Sequence, residues 1–308
     1  MGVPWTITVH ARSAEDAGRA LAAAFAEVAR LEKILSDYDP ASELSRLSAA
    51  APTPQSVPVG DDLWNVLSRA VEIRDATGGS FDPTVGPLTT LWRQSRRSGV
   101  LPNPEKLAAA MAAVGSDALV IDQEKRSVSL TRPGMRLDLG GIGMGYAVDR
   151  AMAVLHRHGI EAAMIDASGD IAVSGPPPGT TGWRIAVAPI DPTDSASPSE
   201  TLLLSNAAVT TSGDLFQAAE IDGVRYSHIV DPRTGLGVLG PAAVTVIAAD
   251  CTTADALATA ASVLGPDEAL PVIEAFPGCA ARFVRIDAGT SRETHSPRWP
   301  AQTPQLVE

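Results

Sequence analysis

The sequence has only two cysteines in 308 residues, Cys251 and Cys279, far from any C-x-x-C spacing. A disulfide framework and a cysteine zinc site are excluded, and both thiols read as apolar interior residues. Positive charge is also scarce: 24 Lys and Arg stand against 36 Asp and Glu, for a formal charge of −12. No Lys/Arg cluster relieves that excess, so nucleic acid is not an expected partner. A phosphorylated small molecule can still be held where a divalent cation and helix N-termini neutralise it locally. No apolar run approaches the roughly 20 residues that span a bilayer, so no membrane span is expected. The opening Met1-Gly2-Val3-Pro4-Trp5 leads into a strand pattern without the basic, apolar and cleavage regions of an export signal, and a cytoplasmic location is expected. Internal repeats are missing too.

What is present is a globular composition, 45% hydrophobic and 19% charged, with Gly and Pro spread along the chain. Residues 3–12 alternate apolar and polar. Ser13 with Asp16 then opens an Ala/Leu-rich helix ending near Tyr38, whose Leu21, Phe25, Val28, Leu31 and Leu35 form one face to lay on a sheet. Asp37 to Glu43, with Pro40, makes an exposed loop. Helical patterns recur at 60–77 and 103–114, the second behind Pro102-Asn103-Pro104. The run Gly78 to Pro87 is too rich in Gly and Pro for regular structure. Strands are expected at 118–122, 126–131, 162–166, 170–174, 183–188, 207–211, 225–230 and 242–249, and a helix from Thr253 to Leu264. A Pro/Ser/Asp-rich insertion at 189–200 reads as a surface loop. The expected organisation is one α+β domain over 1–284, then a flexible tail over 285–308 with Thr290-Ser291, Pro297, Pro300 and Pro304.

Three constellations can carry chemistry. Leu137-Asp138-Leu139-Gly140-Gly141-Ile142-Gly143-Met144-Gly145 reads as a strand, a Gly-rich turn and a helix start, where a phosphate can meet backbone N–H groups. The same glycines serve equally for a tight connection with positive φ. Asp255 and Thr259 stand four apart on a helix, so carboxylate and hydroxyl can face one hard cation. Alternatively Asp255 stabilises the helix N-terminus and Thr259 packs. Thr211-Ser212-Gly213-Asp214 precedes His228-Ile229-Val230-Asp231-Pro232-Arg233-Thr234-Gly235. There His228 is placed to act as a base and Arg233 to meet phosphate or carboxylate. An Asp231–Arg233 pair holding a turn is the competing reading.

In order along the chain these segments, together with Met1-Gly2, Leu35 to Leu44 and Gly79 to Pro87, resemble the ApbE family from Met1 to about Leu264. The resemblance implies an α+β fold, T-fold-like, with mixed sheets flanked by helices. It also implies a reaction: FAD is cleaved at its pyrophosphate, AMP leaves, and FMN is joined to a Thr or Ser hydroxyl of an acceptor flavoprotein. By the same resemblance Mg²⁺ is held by the Gly141 carbonyl, Asp255 and Thr259 with Ala258 alongside. Met1, Tyr38, Ser80, Phe81, Asp82, Asp138, Met144 and Ile229 fall at positions lining the FAD site. At Met144 the chain departs from the family, which usually has Lys there; Arg233 and Arg136 are the candidates to replace that cation. His228 is the candidate base for the acceptor hydroxyl, with Asp231 or Asp214 orienting it. The alternatives are an FAD pyrophosphatase using water, and a noncatalytic flavin-binding or maturation protein.

Overall fold

Short β-branched and alanine-bearing runs, parted by Gly and Asx turns, pair with antiparallel neighbours here. In the computed structural model, which describes residues 2–187, 200–213, 218–239, 242–287 and 290–300, the main sheet has seven strands. Their order is β1 (Thr6–His10), β5 (Ala162–Ala167), β6 (Asp170–Val173), β9 (Ala207–Gly213), β13 (Ala242–Ala248), β14 (Ala280–Asp287) and β15 (Thr290–His295). Smaller sheets are β2 (Val57–Pro58), β4 (Ser127–Leu130) and β3 (Leu119–Asp122); β7 (Trp183–Val187) with β8 (Glu200–Leu204); and β10 (Ala219–Ile221), β11 (Val224–Val230) and β12 (Gly237–Leu239). The pairings of these named strands are antiparallel.

Eight α-helices among the described residues flank the sheets: α1 (Ala14–Leu35), α2 (Glu43–Ala49), α3 (Asp61–Ala76), α4 (Gly86–Ser98), α5 (Pro104–Ala113), α6 (Gly143–Arg157), α7 (Cys251–Leu264) and α8 (Pro266–Ala275). One face of the main sheet carries α6 and α7, and α1 lies on α6 as a further layer. The hairpin β7–β8 covers the other face, with Trp183, Ile185, Val187, Leu202 and Leu204 against Val173, Val209, Ile247 and Ala280. A third cluster joins α4 and α5 to the β10–β12 sheet through Leu88, Trp92, Ile221 and Val230, and the Trp92 indole N–H donates to the Ser227 carbonyl at 2.9 Å. The α+β arrangement of several sheets and flanking helices is as expected.

Several local expectations change. Helix α1 starts as anticipated, with Ser13 accepting from the Asp16 N–H. Its buried line is Ala20, Ala24, Val28, Leu31 and Leu35, while Phe25 is 44% exposed. The partner is α6 rather than a sheet, and the alanines allow the close helix–helix approach that a Leu21/Phe25 face would prevent. Residues 137–139 form no strand, and two of their amides are taken up elsewhere: Leu137 N–H donates to Ser48 Oγ at 3.0 Å and Asp138 N–H to the Pro83 carbonyl at 2.9 Å. Gly86 opens α4, which composition hid; Gly86 lies so close to Arg136 that an added Cβ would sit 2.4 Å from its carbonyl oxygen.

The tail is also structured past 285. Strand β15 pairs with β14 from Asp287↔Thr290 to Arg282↔His295, Ser296 is fully buried, and the Trp299 indole donates to Glu200 at 3.1 Å. The low apolar content of Thr290 to His295 concealed an edge strand, which has only one neighbour and so needs little apolar character. Of the insertion expected at 189–200, residues 189–199 lie outside the described residues, as do Met1, Asp214 and residues 301–308, while Glu200 is buried at the start of β8 rather than in a surface loop.

Candidate active site

Helix α7 is buried on nearly all sides between the sheet and α6, as its small apolar residues allow. Two carboxylates fix its N-terminus. Asp250 is the N-cap and accepts from Thr253 N–H at 2.7 Å. From α6, Asp149 accepts from the Cys251 and Thr252 amides, each at 2.8 Å, and from the Thr252 hydroxyl. One turn back on α6, Gly145 brings the two backbones together: a Cβ there would lie 2.3 Å from the Cys251 carbonyl oxygen and 2.9 Å from Asp255 Cβ. Its N–H donates to Asp255 Oδ2 at 3.0 Å.

This clasp carries the expected oxygen donors. Asp255 is 5% exposed, and Thr259 follows one turn later, with Ala258 buried beside it. Gly141, on the loop before α6, faces Thr259 so closely that a Cβ would be 2.7 Å from its Oγ1. Burial pushes the Asp255 carboxyl well up, and Asp170 and Asp149 push the same way, against the single Gly145 N–H. No guanidinium or ammonium among the described residues offsets it. A buried carboxylate facing others calls for a cation. Carbonyl, carboxylate and hydroxyl oxygens are the donors that Mg²⁺ prefers, and only the missing Cβ at Gly141 lets its loop come so close to Thr259. The residues therefore fit Mg²⁺. No cluster of three or more His, Cys, Asp or Glu with metal-holding geometry exists among the described residues, so the donor set is one carboxylate with neutral oxygens.

Asp149 and Asp170 were not singled out from sequence. The signal for Asp170 was its turn: Ser168 and Gly169 both have positive φ, at 57° and 104°, which swings Asp170 into β6 beside Thr210. Burial chiefly pushes Asp170 up to about 7 and Asp149 up to about 6. An acid whose folded pKa exceeds its unfolded value near 4 keeps its proton in the folded chain after the unfolded chain has lost it. Its stabilising effect is then full below about pH 4 and is lost as pH rises toward the folded pKa. In EDTA the wild type should lose stability between pH 5 and 7.5. Asp170→Asn should flatten that loss and gain on the order of 2 kcal/mol at pH 7.5; urea unfolding at the two pH values measures both.

A second group surrounds Asp138. Its Oδ1 accepts from Gly140 N–H at 2.8 Å, and its Oδ2 accepts from the Thr89 hydroxyl at 2.6 Å and from Arg93 at 3.1 Å. Arg93 also pairs with Asp37 and lies over the Tyr38 ring at 4.4 Å. The 80–83 turn abuts this group through the Asp138-to-Pro83 hydrogen bond. Within the turn, Asp82 is spent internally: its Oδ1 accepts from Thr84 N–H, Thr84 Oγ1 and Ser116 Oγ at 2.7 to 2.8 Å. Phe81 is core. Ser80 Oγ is buried without a hydrogen-bond partner among the described residues. Met144 is half-buried against the main core.

His228 and Ile229 lie on β11, which packs against both α4 and α7. Asp231 follows the strand, with its carboxylate occupied by Arg233: the backbone N–H at 2.8 Å, Nε at 3.0 Å and Nη2 at 2.9 Å. Arg233 Nη2 also reaches the Val263 carbonyl at the end of α7. The turn-holding pair weighed from sequence is thus present, and it takes up Arg233. Arg136 is likewise engaged, donating to the Asp37 carbonyl at 2.8 Å. The guanidinium that meets Asp138 and Tyr38 belongs to Arg93, on the helix that composition hid.

The ApbE family model matches residues 1–283. An FAD:protein FMN transferase from Vibrio cholerae is 35% identical over 258 residues, covering 83% of this chain and 76% of that protein. Another of the same name from Haemophilus influenzae is 32% identical over 260 residues, covering 83% and 75%. The solved structure of flavin transferase ApbE from Vibrio cholerae matches at 30% identity with a TM-score of 0.86, covering 97% of this chain and 95% of that one.

Proposed function

Since this chain belongs to the ApbE family, we propose that it transfers FMN from FAD to a hydroxyl of an acceptor protein. The acceptor is a flavoprotein presenting a Thr or Ser. Its oxygen forms a bond to the FMN phosphorus, the bond from that phosphorus to the bridging pyrophosphate oxygen breaks, and AMP leaves with that oxygen. The hydroxyl proton passes to His228 on β11, which is packed on the helix bearing Asp255. Asp231 acts on this step through the turn it forms with Arg233.

The observation that carries the reading is the buried Asp255 carboxylate with no cationic partner among the described residues, on the helix whose Thr259 meets Gly141 one turn further on. Those three would hold Mg²⁺, with Ala258 alongside. Bound there, the ion neutralises charge on nonbridging phosphate oxygens. Tyr38, Ser80 and Asp138 would line the FAD side with Ile229 and Met1, Asp82 and Phe81 shaping the turn beneath them. Met144 supplies packing where a cation is usual, which leaves the guanidinium of Arg93 as the charge beside Asp138.

The test is to incubate the protein with FAD, Mg²⁺ and a Thr/Ser-bearing flavoprotein domain, then weigh the acceptor and quantify AMP. An FMN adduct matched by AMP supports transfer. AMP without adduct indicates hydrolysis by water, and FAD bound without AMP indicates a binding protein. His228→Ala should lower transfer by about 10²- to 10⁴-fold while leaving FAD binding in place; turnover and flavin fluorescence titration separate the two.

A further inference from the structure

We propose that Arg93 is a positioning residue of the dinucleotide site: it ties the Tyr38 loop to the Asp138 segment and backs the Tyr38 ring as a stacking platform for a planar heterocycle. The inference rests on the FAD reading above, and it concerns a residue outside every motif that suggested that reading.

Three contacts converge on one guanidinium. Arg93 meets Asp37 from the loop after α1 and Asp138 at 3.1 Å from the segment before the Gly-rich turn. It also covers one face of Tyr38 at 4.4 Å from the ring centroid. Tyr38 is nevertheless 76% exposed. An exposed aromatic ring usually moves; this one has a guanidinium fixed against one face by two carboxylates and its remaining surface open to solvent. A cation behind a ring is favourable in itself, and the open face offers stacking to another planar ring.

Arg136 braces the same loop from a second side, donating to the Asp37 carbonyl at 2.8 Å, so the backbone beside Tyr38 is tied to both Arg93 and Arg136. A planar ring presented to the open face of Tyr38 meets a platform whose other face is already occupied. FAD has two such rings, adenine and isoalloxazine, and the platform's chemistry suits either. Lysine cannot replace arginine here without loss, because an ammonium lacks the planar fork that reaches two carboxylates while lying on a ring.

The experiment compares wild type, Arg93→Lys, Arg93→Met, Tyr38→Leu and the Arg93→Met/Tyr38→Leu double variant. It measures KM for FAD and kcat for transfer at saturating FAD, together with melting temperature. AMP and FMN serve as separate competitors to tell which ring uses the platform. The expected result is a rise of about tenfold in KM for FAD in Arg93→Met and in Tyr38→Leu, a smaller rise in Arg93→Lys, and kcat within about threefold. The double variant should be no worse than about the poorer single one, since both changes remove the same platform. One competitor, AMP or FMN, should lose inhibition in step with KM. If Arg93→Met lowers the melting temperature and kcat but leaves KM unchanged, Arg93 is structural only and the inference is overturned. An additive double variant also overturns it. Wild type that fails to bind FAD sinks the function reading and this inference together, whereas wild type that transfers FMN beside unaffected Arg93 variants sinks this inference alone.

Discussion

Replacing Asp255 by asparagine is expected to lower FMN transfer by about 10³-fold or more, which corresponds to the several kcal/mol that a phosphate-bound cation supplies. The same change should stabilise the cation-free protein. Asp255 is buried among carboxylates, with one backbone N–H as its stabilising partner and no described cation to offset it, so its charge costs folding energy until a metal arrives. Activity and stability then move in opposite directions, as they do where a site is strained for its task. Two measurements check this: AMP release with FAD and acceptor, and melting temperature in EDTA and in millimolar Mg²⁺. Wild type should melt higher with Mg²⁺, because a ligand bound only by the folded state stabilises it, while Asp255→Asn should show a higher EDTA value and little response to Mg²⁺. A variant that keeps both transfer and the Mg²⁺ shift would remove Asp255 from the metal site.

Gly145→Ala is the largest expected effect on folding. The new methyl would lie 2.3 Å from the Cys251 carbonyl oxygen and 2.7 Å from its carbon, and backbone cannot swing away as a side-chain tip can. Helices α6 and α7 must separate, at a cost of about 3 kcal/mol or more. For a chain of this size that is on the order of 6 to 10 °C in melting temperature, readable by calorimetry. Separation also lengthens the Gly145-to-Asp255 hydrogen bond, so the affinity for Mg²⁺ should fall with stability. A neutral substitution at Gly145 would mean the helices approach less closely than 2.3 Å implies.

Much of this was legible in the chain. Helical periodicity marked α3 and α5 and alternation marked β1 and β7, because each of those elements buries one face more than the other; β13, buried on both faces, reads instead as a near-continuous apolar run. The spacing of Asp255 and Thr259 put them on one helix face, since an i,i+4 pair keeps its geometry wherever the helix packs; their reading as metal ligands came from the family resemblance and not from that spacing. What escaped depended on neighbours. Helix α4 begins in Gly86-Pro87, where local composition argues for a turn, and only its docking through Trp92 onto β11 secures it. Arg93 went unseen with it. Asp149 and Asp170 looked like ordinary polar residues; their importance comes from burial beside α7, a tertiary fact. Strand β15 reads as polar tail because an edge strand is held by β14's hydrogen bonds rather than by its own apolar side chains.

The placement of α7 has a consequence for how such a protein can diversify. Asp255 and Thr259 ride on a helix walled in by the main sheet and α6, where any substitution disturbs many neighbours at once. Tyr38, by contrast, sits on an outer loop, and β11 with His228 belongs to a small separate sheet. On the reading proposed above, positions of that outer loop and small sheet other than Tyr38 and His228 can change with the acceptor protein while the interior helix stays as it is.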